Sequence, residues 1–253
     1  MRVAAIYDIH GNLPALEAVL EEIRQAGVDQ IVVGGDVMPG PMQREALACL
    51  LDLRIPVQFL QGNGEREILA LRAGRQTGNV PEAYRGIMEW AAQELLPEHE
   101  RLAASWPLTL RVAIEGLREV LFCHATPRSD TEIFTRLTPE ERLTPIFEGL
   151  EERLVICGHT HMQFDRTIAG IRVVNAGSVG MPFGQPGAYW LLLGPGVEFR
   201  HTNYDFTKAA ERIRVRSYPQ AQEFADRNVL QPPSEAQMLE AFGRAELKQA
   251  QGS

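Results

Sequence analysis

Short apolar runs alternate with stretches of helical spacing along the first part of the chain. The runs are Val3 to Tyr7, Ile31 to Val33, Val57 to Leu60, Val120 to Cys123 and Leu154 to Cys157. Continuous runs of this length read as strands buried on both faces. Between the first two, Leu13, Leu16, Val19, Leu20 and Ile23 recur at helical spacing, with Asn12 placed as N-cap and Pro14 in the first turn. The pattern predicts a βαβαβ start. Residues 65–105 are rich in Ala, Leu, Glu and Arg, are punctuated by Gly74, Gly78, Pro81 and Pro97, and predict two or three inserted helices that form a cap-like insertion. From Leu108 to Asn203 the turn signals Glu115-Gly116, Ala169-Gly170 and Gly194-Pro195-Gly196 separate β-rich runs and predict a second, partly antiparallel sheet. Phe206 to Gln251 predicts helices broken at Pro219 and at Pro232-Pro233. There is no internal repeat, and residues 1–253 are expected to form a single α/β domain with two sheets.

Composition narrows the function classes. With 25 Lys+Arg against 33 Asp+Glu, the net charge is −8, which disfavours a protein that coats nucleic acid by counterion release. No apolar run approaches the roughly 18 residues of a membrane span, and the chain opens on a strand-like segment. Cys49, Cys123 and Cys157 are odd in number and never form Cys-x-x-Cys, so they read as small buried hydrophobes. A cytoplasmic protein without membrane or nucleic-acid partners is expected.

The residues standing directly after each apolar run carry the chemistry. Tyr7 precedes Asp8-Ile9-His10-Gly11-Asn12, Val33 precedes Gly34-Gly35-Asp36, and Leu60 precedes Gln61-Gly62-Asn63-Gly64-Glu65. Cys123 precedes His124, and Cys157 precedes Gly158-His159-Thr160-His161. Ligands of open α/β sheets bind beyond the carboxyl ends of the strands, so these five ends are expected to converge. In extended chain, residues i and i+2 point the same way, which lets each of the pairs Asp8/His10 and His159/His161 reach one centre. Two carboxylates, four imidazoles and one amide are N and O donors suited to Mn, Fe or Zn. They are too many for one catalytic ion with an open position, and fit two ions about 3.5–4 Å apart.

The set Asp8-x-His10, Gly35-Asp36, Gly62-Asn63-x-Glu65, His124 and Gly158-His159-x-His161 resembles the calcineurin-like metallophosphoesterase superfamily over residues 1 to about 204. The stretches from Asp8 to Leu20 and from Asn175 to Pro182 are similar to small bacterial phosphodiesterase-like members. The resemblance implies a two-sheet αββα sandwich. It assigns Asp8, His10, Asp36 and His161 to one divalent ion and Asp36, Asn63, His124 and His159 to the other, with Asp36 bridging and Mn favoured. It further implies hydrolysis of a small phosphate ester, the ions polarising the phosphoryl oxygens and lowering the pKa of a bridging water that attacks phosphorus in line. Asp36, Asn63 and His124 are the expected catalytic groups. Asn175 and Ser178 are expected near the site, as turn residues or as substrate contacts.

Two departures bear on specificity. Where the family places a histidine in its Gly-Asn-His motif, this chain has Gly64, so leaving-group protonation falls to solvent or to a residue of the 65–105 insertion, with His99 the candidate by elimination. The segment Gly35-Asp36-Val37-Met38-Pro39-Gly40 also lacks the Asp-Arg-Gly arginine that clamps a dianionic phosphate, which favours a diester. Asn12, Arg66 and Arg128 are candidate substrate contacts. The alternatives are a phosphomonoesterase or nucleotide pyrophosphohydrolase, and, outside enzymes, a retromer-type scaffold that binds partner proteins and carries a vestigial metal site. Four of the six histidines belong to the expected site, leaving His99 and His201 outside it.

Overall fold

In the computed structural model, which describes residues 1–75 and 80–245, two five-stranded sheets stack face to face. The first contains β1 (Val3–Ile6), β2 (Gln30–Val33), β3 (Val57–Phe59), β9 (Ala188–Leu193) and β10 (Val197–Thr202), in the order β10-β9-β1-β2-β3. The second contains β4 (Thr109–Ile114), β5 (Arg118–Cys123), β6 (Leu154–Cys157), β7 (Phe164–Ile168) and β8 (Ile171–Asn175), in the order β4-β5-β6-β8-β7. Parallel pairing joins β1, β2 and β3 in the first sheet and β5, β6 and β8 in the second; hairpins complete both.

Period-two alternation sorts the side chains into layers. Val3, Ala5 and Tyr7 enter the core between the sheets with Val32, Phe122, Ile156 and Leu191, whereas Ala4 and Ile6 face the helices outside the first sheet. Those helices are α1 (Leu13–Ala26), α2 (Gln43–Leu51), α3 (Asn63–Arg72), α4 (Glu82–Glu94), α5 (Pro97–Ala104) and α7 (Phe206–Arg214). On the far side, α6 (Glu140–Phe147) covers Leu121, Val155 and Val173. The result is the expected αββα sandwich. The Tyr7 hydroxyl crosses the central layer and donates to the Ile156 carbonyl at 3.1 Å, tying one sheet to the other.

The strands and the breaks at Pro219 and Pro232-Pro233 fall where the patterning puts them. After Pro219, α8 (Ala221–Phe224) runs into a π-helical turn over Ala225–Leu230, and α9 (Glu235–Ala245) follows Pro233. The predicted break at Gly78 and the end of the last predicted helix, from 246 onward, lie outside the described residues. One boundary differs: the β9–β10 hairpin belongs to the first sheet, not the second. Its apolar strand Ala188–Leu193 pairs antiparallel with β1, and this long-range choice of partner leaves no local signature.

Asn12 shows how the first loop is fixed. Buried at the start of α1, it accepts from Ala15 N at 3.3 Å and donates to the Gly180 carbonyl at 3.0 Å. Asn12→Ala is expected to lower unfolding free energy by about 1–2 kcal/mol, read as a reduced urea midpoint; an unchanged midpoint would place Asn12 outside the framework.

Candidate metal centre

All five strand ends meet. The Asp8 Oδ1 atom lies 3.5 Å from His161 Nε2 and 3.9 Å from His124 Nε2. Asp36 Oδ2 lies between two imidazoles, 3.7 Å from His10 Nε2 and 3.6 Å from His124 Nε2. Asn63 Oδ1 is 3.0 Å from His124 Nε2, and the His159 ring packs edge-on to His124 at 5.1 Å. Two groups of three, Asp8 with His10 and His161 and Asp8 with Asp36 and His124, hold their donor atoms close enough to share an ion.

The backbone brings them there in an unexpected way. Among the described residues, seven non-glycine residues have positive φ, and five of them are Asp8, His10, Asp36, His159 and His161, at 46–66°. The pairs at i and i+2 therefore converge from left-handed turns, not from the extended chain that simple alternation assumes. This conformation costs on the order of 1 kcal/mol or more per residue and is held only where the surroundings determine it. They do so here. Asp8 N and His10 N donate to the carbonyls of Gly35 and Asp36 at 3.1 and 2.9 Å, Asp8 Oδ2 accepts from His159 N at 2.8 Å, and Ser178 Oγ donates to the Asp8 carbonyl at 2.7 Å. Asn175 Nδ2 donates to the Gly158 carbonyl at 2.6 Å and to Thr160 Oγ1 at 3.1 Å, fixing the loop that carries both histidines.

Glu65 is a positioning residue that sequence reading left without a role. Fully buried, it accepts from Asp36 N and Gly62 N at 2.9 Å each and from Met38 N at 3.1 Å, clamping the Asp36 loop to the Asn63 loop. The visible signal was its place three residues after Gly62, the acceptor position of a capping box.

The protonation pattern leaves the donors facing one another. His10 Nδ1 is 3.2 Å from the Pro39 carbonyl, His124 Nδ1 is 2.9 Å from that of Gly34, and His161 Nδ1 is 2.8 Å from that of Met181. Carbonyls only accept, so each of these Nδ1 atoms carries a proton and Nε2 is the atom turned inward. The Thr131 backbone plays the same part for His159. Burial, reinforced by neighbouring imidazoles, pushes His10 and His159 down to about 3 and keeps them neutral. His10 Nε2 and His161 Nε2 stand 3.3 Å apart. Burial also drives Asp36 up to about 7, aided by Glu65 and Asp8 and opposed by His124. Burial acts on Asp8 in the same direction, but three imidazoles overcome it and hold the carboxylate below its usual range. Its Oδ1 is buried without a hydrogen-bond partner. An orphaned carboxylate oxygen, imidazole nitrogens turned toward one another and an N/O donor set without thiolate fit divalent cations.

Not every expected residue joins the centre. Arg66 is ion-paired with Asp130 at 2.5 Å and Glu67 at 2.7 Å, and Arg128 is bidentate on the buried Glu132; neither lines the cavity above the donors. His99 lies on α5, also outside the cavity wall. Asn12 is committed to its cap, and Asn175 and Ser178 to the loops. The Gly64 departure has a steric counterpart: a Cβ there would lie 2.2 Å from the Met38 carbonyl oxygen, while Gly64 N donates to Asp36 Oδ1 at 2.8 Å. Gly35, at φ +89°, is similarly enclosed, a Cβ falling 2.9 Å from His124 Nδ1.

The sequence model of the calcineurin-like phosphoesterase superfamily domain matches residues 1–193, and the chain belongs to that family. It is similar to an uncharacterized protein of Methanocaldococcus jannaschii, 28% identical over 239 residues, covering 86% of this chain and 94% of that one. Among solved structures, a hypothetical protein of Pyrococcus horikoshii superposes with a TM-score of 0.76 at 21% identity, over 92% of this chain and 99% of the other. A metallophosphoesterase of Sphaerobacter thermophilus gives 0.69 at 25% identity, over 89% and 97%. The family is one of metal-dependent phosphoester hydrolases, and this chain holds candidate metal-ligand groups. Among the described residues no helix is long and apolar enough to cross a membrane.

Gly64→Ala is expected to destabilise the fold by about 1–3 kcal/mol, because its new methyl group meets backbone instead of a movable side chain. A urea midpoint equal to that of the unsubstituted chain would show that the Met38 loop yields freely.

Proposed function

We propose that the chain is a phosphodiesterase with a dinuclear centre, acting on a small phosphate ester. The observation that carries this reading is the convergence of seven N and O donors, the buried, orphaned Asp8 oxygen among them, of which His10, Asp36, Asn63 and His159 line a cavity of about 520 Å³. Asp8, His10, Asp36 and His161 hold one divalent ion, Asp36, Asn63, His124 and His159 the other, and the near-equal approach of Asp36 Oδ2 to His10 and His124 supports its bridging role. Manganese is favoured, with iron and zinc also suited to the donors. When bound, such ions neutralise the phosphoryl oxygens and acidify a coordinated water.

The protein's own contribution is placement. Carbonyl acceptors orient the imidazoles, Glu65 fixes the distance between two ligand loops, and Asp36, Asn63 and His124 surround the reacting position. Arg66 and Arg128 are engaged with carboxylates and do not line the cavity, so neither is placed to clamp a dianion; this supports a singly charged diester over a monoester. With Gly64 in place of an acid, the leaving group takes its proton from solvent, which suits esters with good leaving groups. Three free cysteines suit a reducing compartment such as the cytoplasm.

The test compares bis(4-nitrophenyl) phosphate with 4-nitrophenyl phosphate in Mn²⁺. Turnover of the diester is expected to exceed that of the monoester, to vanish with chelator, and to fall at least about a hundredfold in His124→Ala. Faster monoester turnover would overturn the diester preference, and full activity in chelator would overturn the metal centre.

A further inference from the structure

The cavity above the donors is walled by two segments. On one side α4 contributes Tyr84, Ile87 and Met88; on the other, the chain around Pro219 and the π-helical turn contribute Tyr218, Phe224 and Arg227. The latter residues lie beyond residue 193, where the family match ends. The Tyr218 ring is fixed edge-on between Trp90 at 5.3 Å and Phe224 at 5.9 Å, and Gln220 Nε2 bridges to the Ala83 carbonyl at 3.3 Å, so the two walls are joined. Tyr84 is exposed, whereas the buried Tyr218 and Phe224 are held rigidly behind the wall, and the volume lies in the range of small-molecule sites.

The charges in that wall are uneven. Asp36, Glu67 and Glu223 are acidic, and Arg227 is the one Lys or Arg side chain that lines it among the described residues. Arg227 is loosely held, its one ion pair among the described residues being with Glu223 one turn earlier at 3.4 Å, with the two side chains 66% and 55% exposed. A pair of this kind contributes little. Arg66 and Arg128, by contrast, are fixed by carboxylates of much lower exposure. Arg227 also sits on the π-helical turn, an irregularity that recurs at functional sites because it redirects side chains out of helical register.

The geometry points to a subsite for the organic half of the ester. Tyr84, on a wall stiffened by the buried Tyr218 and Phe224, takes a flat aromatic group, and Arg227 takes a second negative charge carried by that group. The substrate class is an aromatic phosphate diester with an additional anionic substituent. This rests on the phosphate-ester reading of the metal centre below it. Arg227 is a specificity determinant, not a catalytic residue, since it binds the part of the substrate that does not react.

The test is equilibrium binding of 2-naphthalenesulfonate and 2-naphthol to the full chain in Mn²⁺ buffer. The two probes share a flat ring system, and the sulfonate adds a fixed charge with little affinity for metal ions. The sulfonate is expected to bind about tenfold tighter, with Arg227→Met abolishing that difference and Arg227→Lys keeping most of it. Tyr84→Ala, at an exposed position, is expected to weaken both probes several-fold. Absence of saturable binding, or an Arg227→Met effect equal on both probes or absent from both, would overturn the subsite. Failure of diester hydrolysis with this binding pattern intact would remove the phosphodiesterase reading and leave the subsite standing.

Discussion

Everything in this fold serves one awkward electrostatic arrangement: buried donors forced to face each other. Two carboxylates and four imidazoles meet at one point, His10 Nε2 and His161 Nε2 only 3.3 Å apart and one Asp8 oxygen without a hydrogen-bond partner. The backbone carries part of the load, because five of these residues adopt left-handed conformations that are unfavourable by themselves. The parallel strands β1, β2, β5 and β6 aim the loops at one point, and the sandwich core between the sheets keeps them from relaxing apart.

The restraint is built from groups that stand behind the donors. Carbonyls of Gly34, Pro39 and Met181 orient three imidazoles, Glu65 ties the Asp36 loop to the Asn63 loop, and Asn175 and Ser178 pin the chain segments beneath Asp8 and His159. The absence of a histidine at position 64 belongs to the same packing. The Met38 carbonyl occupies the path a side chain would take, so the glycine and the shape of the Asp36 loop are one feature.

Much of this was legible in the sequence. Four of the five strands were visible as short continuous apolar runs; the other, Val57 to Leu60, is broken by Gln58 and folds as a half-exposed edge strand instead of one buried on both faces. The site was visible because Asp, Asn or His stands at or just after the end of each. What the residues do individually was harder to read. Left-handed φ at Asp8 and His161 has no simple residue signature, so the right convergence was expected from the wrong local geometry. Pairing of β9 with β1 depends on strand partners far apart along the chain. Arg66 and Arg128 looked free because Asp130 and Glu132 reach them only through the folded loop after His124. The upper wall was hidden for the same reason: Tyr84 and Phe224 meet one cavity from distant parts of the chain. The family core thus supplies the donors, while the insertion and the C-terminal helices shape the space above them.

The most direct measurement of the central claim is calorimetric titration of the metal-stripped chain with Mn²⁺. Two donor sets joined through Asp36 predict saturable uptake of two equivalents. A single equivalent, or none, would contradict a dinuclear centre.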